Sequence, residues 1–196
     1  RHADLVVLGT HGYSGLKHAV LGSVAERILH KVRCPVMVVK EEPASFNPKV
    51  GRILVPVDFS ADSKAAASFA NSLAVRFNAS VEIFHAIDFA PGYGPYFPPE
   101  AVALELEIEE RAALRLEEVL SGMSDVKESV RSHVVRGPVS RSILEEVERF
   151  EPDLVVMGTH GHSNLVERAL GTTAERTIRK ATCPVIAVKA ARPDES

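Results

Sequence analysis

The sequence predicts an α/β fold built on an open parallel sheet with helices on both faces. Three observations carry that expectation. Short continuous apolar runs, such as Leu5–Leu8 and Leu154–Met157, read as strands buried on both sides. Between such runs lie stretches with apolar residues at helical spacing, of which Ala66, Phe69, Ala70, Leu73, Ala74 and Phe77 form the clearest set. The joints carry Gly, Pro and helix-capping residues. Strands that alternate with helices imply parallel pairing through crossover connections.

The elements follow in order. Leu5–Leu8 is a strand, a Gly-rich turn follows, and a helix runs from about Ser23 to Val32. Cys34-Pro35 breaks that helix, and Val36–Val39 is the next strand. Residues 41–49, with Pro43 and Pro48, read as a linker. A full set then begins with strand Ile53–Val57. Ser60 can cap a helix over Ala61–Phe77, with Asp62 favourable in its first turn. Val81–Ala86 is a strand. Phe89–Pro99 is too rich in Pro and Gly for a helix or a central strand. Glu100–Leu120 is a long amphipathic helix whose Glu-rich stretch reads as a solvated face. Strand Val130–Val135, a helix from Gly137-Pro138 to Phe150, strand Leu154–Met157, helix Thr173–Lys180 and strand Val185–Val188 complete the series.

Composition narrows the classes of function. The 196 residues carry 23 Lys plus Arg against 26 Asp plus Glu, a net charge of -3, so no basic excess points to nucleic acid or an anionic membrane. No apolar run reaches the roughly 18 residues of a membrane span. Two cysteines in a chain of this length suggest a reducing, cytoplasmic compartment.

An internal repeat divides the chain unequally. Asp-Leu-Val-Val-Leu-Gly-Thr-His-Gly at 4–12 returns as Asp-Leu-Val-Val-Met-Gly-Thr-His-Gly at 153–161. Gly22-Ser23 matches Gly171-Thr172, and Cys34-Pro35-Val36 matches Cys183-Pro184-Val185, at the same offset. The second copy follows about a hundred residues of α/β pattern and the first follows almost nothing. Residues 1–40 are therefore expected to be the C-terminal part of one domain, and residues 50–190 a complete one. The chain lacks an initiator Met, and truncation from a longer tandem protein is the expected explanation; completion of the half domain by another chain is the alternative.

The chemistry lies in the glycines. Gly158-x-x-Gly161 directly follows a strand, and Gly171-Thr172 directly precedes a helix, with the same spacing in Gly9, Gly12 and Gly22-Ser23. Glycine permits positive φ and close approach to a ligand. A helix N-terminus offers unpaired amides and positive potential, which suit phosphate. The pattern reads as a phosphate cradle; the alternative is glycines that only shape turns. On the cradle reading, a bulky residue at Gly171 abolishes nucleotide binding and leaves the fold intact. The pattern is neither a P-loop, which needs Gly-Lys-Ser/Thr, nor a Rossmann fingerprint, which needs a Gly-rich turn after the first strand. No Gly-x-Ser-x-Gly elbow supports a hydrolase.

Ile-Leu-Val-Pro-Val-Asp-Phe-Ser at 53–60, the glycine motif and Cys-Pro-Val at 183–185 together resemble the universal stress protein family. The resemblance implies an adenine nucleotide alpha hydrolase-like fold with five parallel strands in order 3-2-1-4-5, often tandem or dimeric. It also implies ATP binding in members that carry the glycine motif. By that resemblance Pro56, Val57 and Asp58 line the adenine or ribose side, and the backbone of Ala86 meets the adenine. Met157, Gly158, His160 and Gly161 run along ribose and phosphates, and Gly171, Thr172 and Thr173 hold the phosphates. Gly9, His11, Gly12, Gly22 and Ser23 form the phosphate half of a second site. Strands Val36–Val39 and Val185–Val188 are expected to join the two units, or two chains of a homodimer.

Each of these residues has a plainer alternative. Asp58 can cap the following helix, and His160 and His11 can make local hydrogen bonds within their turns. Cys34 and Cys183 read as small buried residues before proline. Tyr93, Tyr96 and Phe97 either cover the pocket or belong to a surface loop. No metal-ligand spacing is present, and Mg²⁺ or Mn²⁺ would arrive with ATP on its phosphate oxygens. The expected function is an ATP-binding stress-response regulator or sensor with at most slow hydrolysis. The alternative is a nucleotide-free, dimerising interaction protein of the same fold.

Overall fold

A computed structural model describes residues 3–9, 23–40, 49–88, 99–123, 129–161 and 170–191. His11, Gly12, Gly22, most of the linker, and Tyr93, Tyr96 and Phe97 lie outside the described residues, as does the side chain of Ser23.

The elements run β1 (Val6–Gly9), α1 (Ser23–Lys31), β2 (Val36–Val39), β3 (Arg52–Pro56), α2 (Ala61–Phe77), β4 (Ser80–Ile87), α3 (Pro99–Ser121), β5 (Val130–Arg136), α4 (Val139–Phe150), β6 (Leu154–Gly158), α5 (Thr172–Lys180) and β7 (Val185–Val188). Ends differ from expectation by one or two residues. Local chemistry sets the clearest boundaries. The Ser60 side chain caps α2 by accepting from the Ser63 amide, and Asn78 ends the helix in the left-handed region at φ 52. Glu151 ends α4 the same way at φ 47.

Strands β3 to β7 lie in the order β5-β4-β3-β6-β7, all parallel, which is the expected 3-2-1-4-5. The sheet nevertheless has seven strands, not five, and is not wholly parallel. Strand β2 joins β7 antiparallel and carries β1 with it as the outer strand. Helices α1, α4 and α5 pack on one face, around Leu29, Ile143, Ile178 and Val155. Helices α2 and α3 cover the other, around Ala66, Ala70, Leu116 and Ile83. Cys34 and Cys183 are half-buried rather than buried.

The β2–β7 junction has a local pseudo-two-fold. Met37 pairs with Ile186, its own counterpart in the repeat. Beyond that pair the lysines cross over. Lys40 Nζ donates to the carbonyls of Arg179 (2.7 Å) and Ala181 (2.5 Å) at the end of α5. Lys189 Nζ donates to those of His30 (2.9 Å) and Val32 (3.1 Å) at the end of α1. A helix C-terminus leaves carbonyls without intrahelical donors and carries negative potential, so an ammonium suits it on both counts.

A second tie gathers the carboxyl edge of the sheet. Asp62, in the first turn of α2, accepts from the Ala190 amide beyond β7 (2.9 Å), the Thr159 hydroxyl (2.7 Å) and the His160 amide (3.1 Å). It also faces His160 Nδ1 at 3.0 Å. Burial pushes its carboxyl up, but the Ala190 amide, the Thr159 hydroxyl and the His160 ring outweigh burial and hold it below the ordinary 3.8.

Two outcomes follow. Replacing either Lys40 or Lys189 by Met leaves two helix-end carbonyls without their donor and is expected to cost about 1–3 kcal/mol in urea unfolding. Equal stability of both variants and the wild type would mean that the lysines do not hold the junction. For Asp62 the folded carboxyl binds its proton less readily than the unfolded one. Its contribution is therefore complete above the unfolded value of 3.8 and disappears as pH falls through the lowered folded value. The stability gap between wild type and Asp62→Asn should narrow as pH drops below that point. A gap that stays constant down to about pH 2 would show that the Asp62 charge contributes nothing.

Candidate functional site

Strands β3 and β6 are neighbours whose following helices leave for opposite faces of the sheet, α2 for one and α5 for the other. A crevice opens at the carboxyl ends of strands wherever connections diverge in this way. Here it is a cavity of about 320 Å³, within the range of small-ligand sites.

The cavity collects residues from six segments. Pro56, Val57 and Asp58 come from the end of β3, Ala86 from β4, and Met157, Gly158, His160 and Gly161 from β6 and its turn. Gly171, Thr172 and Thr173 come from the start of α5. These eleven sequence-selected residues therefore share one wall-to-wall space. The structure adds Phe84 and His85 from β4, Val139 and Ile143 from α4, and Ser63, Thr159 and Ala174. Val139 and Ile143 are one helical turn apart, and only the crossover of α4 onto the sheet brings them to β4. Phe84 and His85 adjoin Ala86 in sequence and were legible from it.

The loop after β3 is held in an uncommon conformation. Phe59 has φ 67, in the left-handed region that a bulky residue rarely occupies. Its ring is buried, 4.5 Å from the His85 ring and 4.1 Å from the Arg115 guanidinium. That fold of the chain sends Phe59 into the core while Asp58 stays at the cavity. His85 donates from Nδ1 to the Val57 carbonyl at 2.7 Å, which fixes the ring's hydrogen on that nitrogen.

Asp58 supports the cap. Its Oδ1 accepts from the Ser60 amide (3.0 Å) and hydroxyl (2.6 Å), bracing the residue that caps α2. Its Oδ2 faces Gly161. His160 makes the local bond: Nδ1 faces Asp62 and the Thr159 hydroxyl (2.8 Å), and buried Nε2 has no partner among the described residues. Its Nδ1 side is thereby held at α2 while the residue still lines the cavity.

The glycines correct the sequence argument. Among the described residues, the glycine with positive φ is Gly137, outside the motif. A Cβ on Gly158 would lie 2.8 Å from the Ser63 amide nitrogen, one on Gly171 2.8 Å from the Thr159 carbonyl, and one on Gly161 2.6 Å from Asp58 Oδ2. Each glycine is thus required by close approach to protein, two of them to backbone. A bulky residue at Gly171 would disturb the turn itself, so the expectation of an intact fold fails. What the turn delivers is the start of α5. The first-turn amides of Thr172, Thr173 and Ala174 have no intrahelical acceptor, and Gly171, the N-cap, has no side chain to supply one. That arrangement suits an anion.

Of the candidate residues in the first copy of the repeat, Gly9 and Ser23 fall among the described ones. Gly9 ends β1 and Ser23 begins α1, but among the described residues no strand stands beside β1 where β3 stands beside β6. Elsewhere the fold gathers Glu82, His133 and Glu146, residues too far apart in sequence to be recognised as a set.

No described helix is long and apolar enough to cross a membrane. The sequence profile of the Universal stress protein family matches residues 1–40 and 49–189. Universal stress protein A homolog 1 of Coxiella burnetii is 36% identical over 138 residues, covering 69% of this chain and 94% of that protein. A universal stress protein of Mycolicibacterium smegmatis is 30% identical over 192 residues; they cover 96% of this chain and 63% of that protein, so the chain spans less than two thirds of this relative. Among solved structures, a universal stress protein from Archaeoglobus fulgidus superposes with TM-score 0.67 at 26% identity, over 96% of this chain and 63% of that one. Two matched segments in one chain, the strand order and the glycine turns agree: the chain belongs to the universal stress protein family.

Proposed function

We propose that residues 50–190 are a complete domain that binds ATP, and that the chain acts as a nucleotide-dependent regulator or sensor in the cytoplasm. The observation that carries this reading is the cavity itself. Apolar walls from β3, β4 and α4 face the first turn of α5, so a flat base and an anionic tail have separate places in one space. Pro56, Val57, Phe84 and the Ala86 backbone suit the base. Asp58 and Gly158 suit the ribose, and Gly161, Gly171, Thr172 and Thr173 suit the phosphates. Mg²⁺ or Mn²⁺ would be held mainly by phosphate oxygens. Rapid hydrolysis needs a charge clamp on the phosphates, and no lysine or arginine is among the described residues that line the cavity, so turnover is at most slow.

Residues 1–40 are then the C-terminal part of a second domain, joined through 41–49, with only the phosphate half of a site: Gly9, His11, Gly12, Gly22 and Ser23. The β2–β7 pairing supplies within one chain the contact that a homodimer would make between two.

The test must spare the glycines, whose replacement disturbs packing. Thr172→Asp combined with Thr173→Asp places negative charge at the start of α5. It favours the helix by up to about 1 kcal/mol while repelling phosphate. ATP affinity by calorimetry should fall on the order of 100-fold with no loss of thermal stability. Unchanged affinity in a folded variant would refute the cradle. The wild-type chain should take up about one ATP. Two would mean that another chain completes the first site, and none would transfer the protein to the nucleotide-free interaction class.

A further inference from the structure

Away from the nucleotide cavity, β4, β5 and α4 bring together two buried carboxylates and an imidazole. Glu82 on β4 and Glu146 on α4 are 6% and 7% exposed, rare values for glutamate. His133 on β5 lies between them. Its Nε2 is 3.1 Å from Glu146 Oε2, and its Nδ1 is 3.4 Å from Glu82 Oε1. Arg149, one turn beyond Glu146, reaches both carboxylates with the same nitrogen, Nη2.

The contacts leave a chemical remainder. A neutral imidazole has one N–H and one lone pair. Nε2 lies within hydrogen-bond range of Glu146, whereas Nδ1 stands from Glu82 beyond the usual range. The two buried carboxylates are bridged by a guanidinium whose side chain is half-exposed. A charge left uncompensated in the interior is costly. The guanidinium also marks where a cation is stable, between the two carboxylates and beside the ring.

We propose that Glu82, His133 and Glu146 form a site for a divalent transition-metal ion, Zn²⁺ foremost, which takes the place of Arg149 Nη2. A doubly charged ion offsets both carboxylates and turns the imidazole lone pair into a ligand. Two carboxylate oxygens and one ring nitrogen suit Zn²⁺, and three protein ligands leave a fourth position for water. The three ligand atoms lie within 4.8 Å of one another. Bonds to zinc of about 2.0–2.2 Å require only that they draw in by side-chain rotation. The exposed edge of His133 and the outward swing of Arg149 give the ion its route in. Once bound, it ties α4 to the sheet behind the cavity. Val139 and Ile143 of α4 line that cavity, as does Phe84, whose ring stacks on His133 at 5.8 Å.

The inference stands apart from the nucleotide reading and is tested without nucleotide. The full chain, free of affinity tag and stripped with chelator, is titrated with ZnCl₂ by calorimetry and with Co²⁺ by absorption. The expected result is one saturable Zn²⁺ site and the visible bands of a four-coordinate Co²⁺ complex. His133→Ala and Glu146→Gln should weaken binding by more than about 100-fold. Arg149→Gln removes the resident competitor and should tighten binding, on the order of 10-fold, a change that a merely structural ion pair would not produce. Far-ultraviolet circular dichroism on each variant establishes that it is folded. Absence of saturable uptake, or uptake unchanged in folded His133→Ala, would overturn the site and leave the cluster as a structural ion-pair network with Arg149.

Discussion

The carboxylate of Asp62 is the point at which three segments of the sheet's carboxyl edge are held to one another. It sits in the first turn of α2, where the helix favours negative charge. From there it binds the turn after β6 through Thr159 and His160, and the chain beyond β7 through Ala190. Gly158 makes the approach possible, because any side chain on it would strike the backbone of that same first turn. The mouth of the cavity thus depends on one small residue and one acid, and neither has to touch a ligand.

Asp58 follows the same logic just before the same helix. It braces Ser60, Ser60 caps α2, and the Ser60 hydroxyl also reaches the His160 carbonyl at 3.2 Å. The left-handed Phe59 between them costs about 1–3 kcal/mol of backbone strain, offset by burial of its ring against His85 and Arg115. Rim residues locked in this way are preorganised, so a ligand would lose little entropy in ordering them.

Most of the architecture was legible in the sequence because its signals are local. Apolar runs, helical spacing and the Ser60 cap each act within a few residues. The family resemblance supplied the strand order. What was not legible depends on distant segments meeting. No local pattern shows that Val139 and Ile143 reach β4, that Glu82, His133 and Glu146 converge, or that His160 turns to Asp62. The glycine positions are legible in the sequence, but the reason for them is only partly so. The motif was read for freedom of φ and room for a ligand, whereas the backbone and Asp58 fill the space that a Cβ would need.

The two readings of those glycines are therefore not competitors. Gly158 and Gly171 let the turn after β6 fold tightly against α2 and itself, and that tightness sets the first turn of α5 at the end of β3. Packing comes first, and the uncapped first turn of α5 facing the cavity is its consequence. The first copy of the repeat shows why this order matters. It has the same residue types at the same spacing, yet among the described residues nothing stands beside β1 to supply an Asp58 or an α2. Its glycine turn has no described counterpart of the α2 backbone to approach. A glycine spacing thus shapes such a cavity only together with the strand and helix it is built to meet, and among the described residues both stand beside the second copy of the repeat.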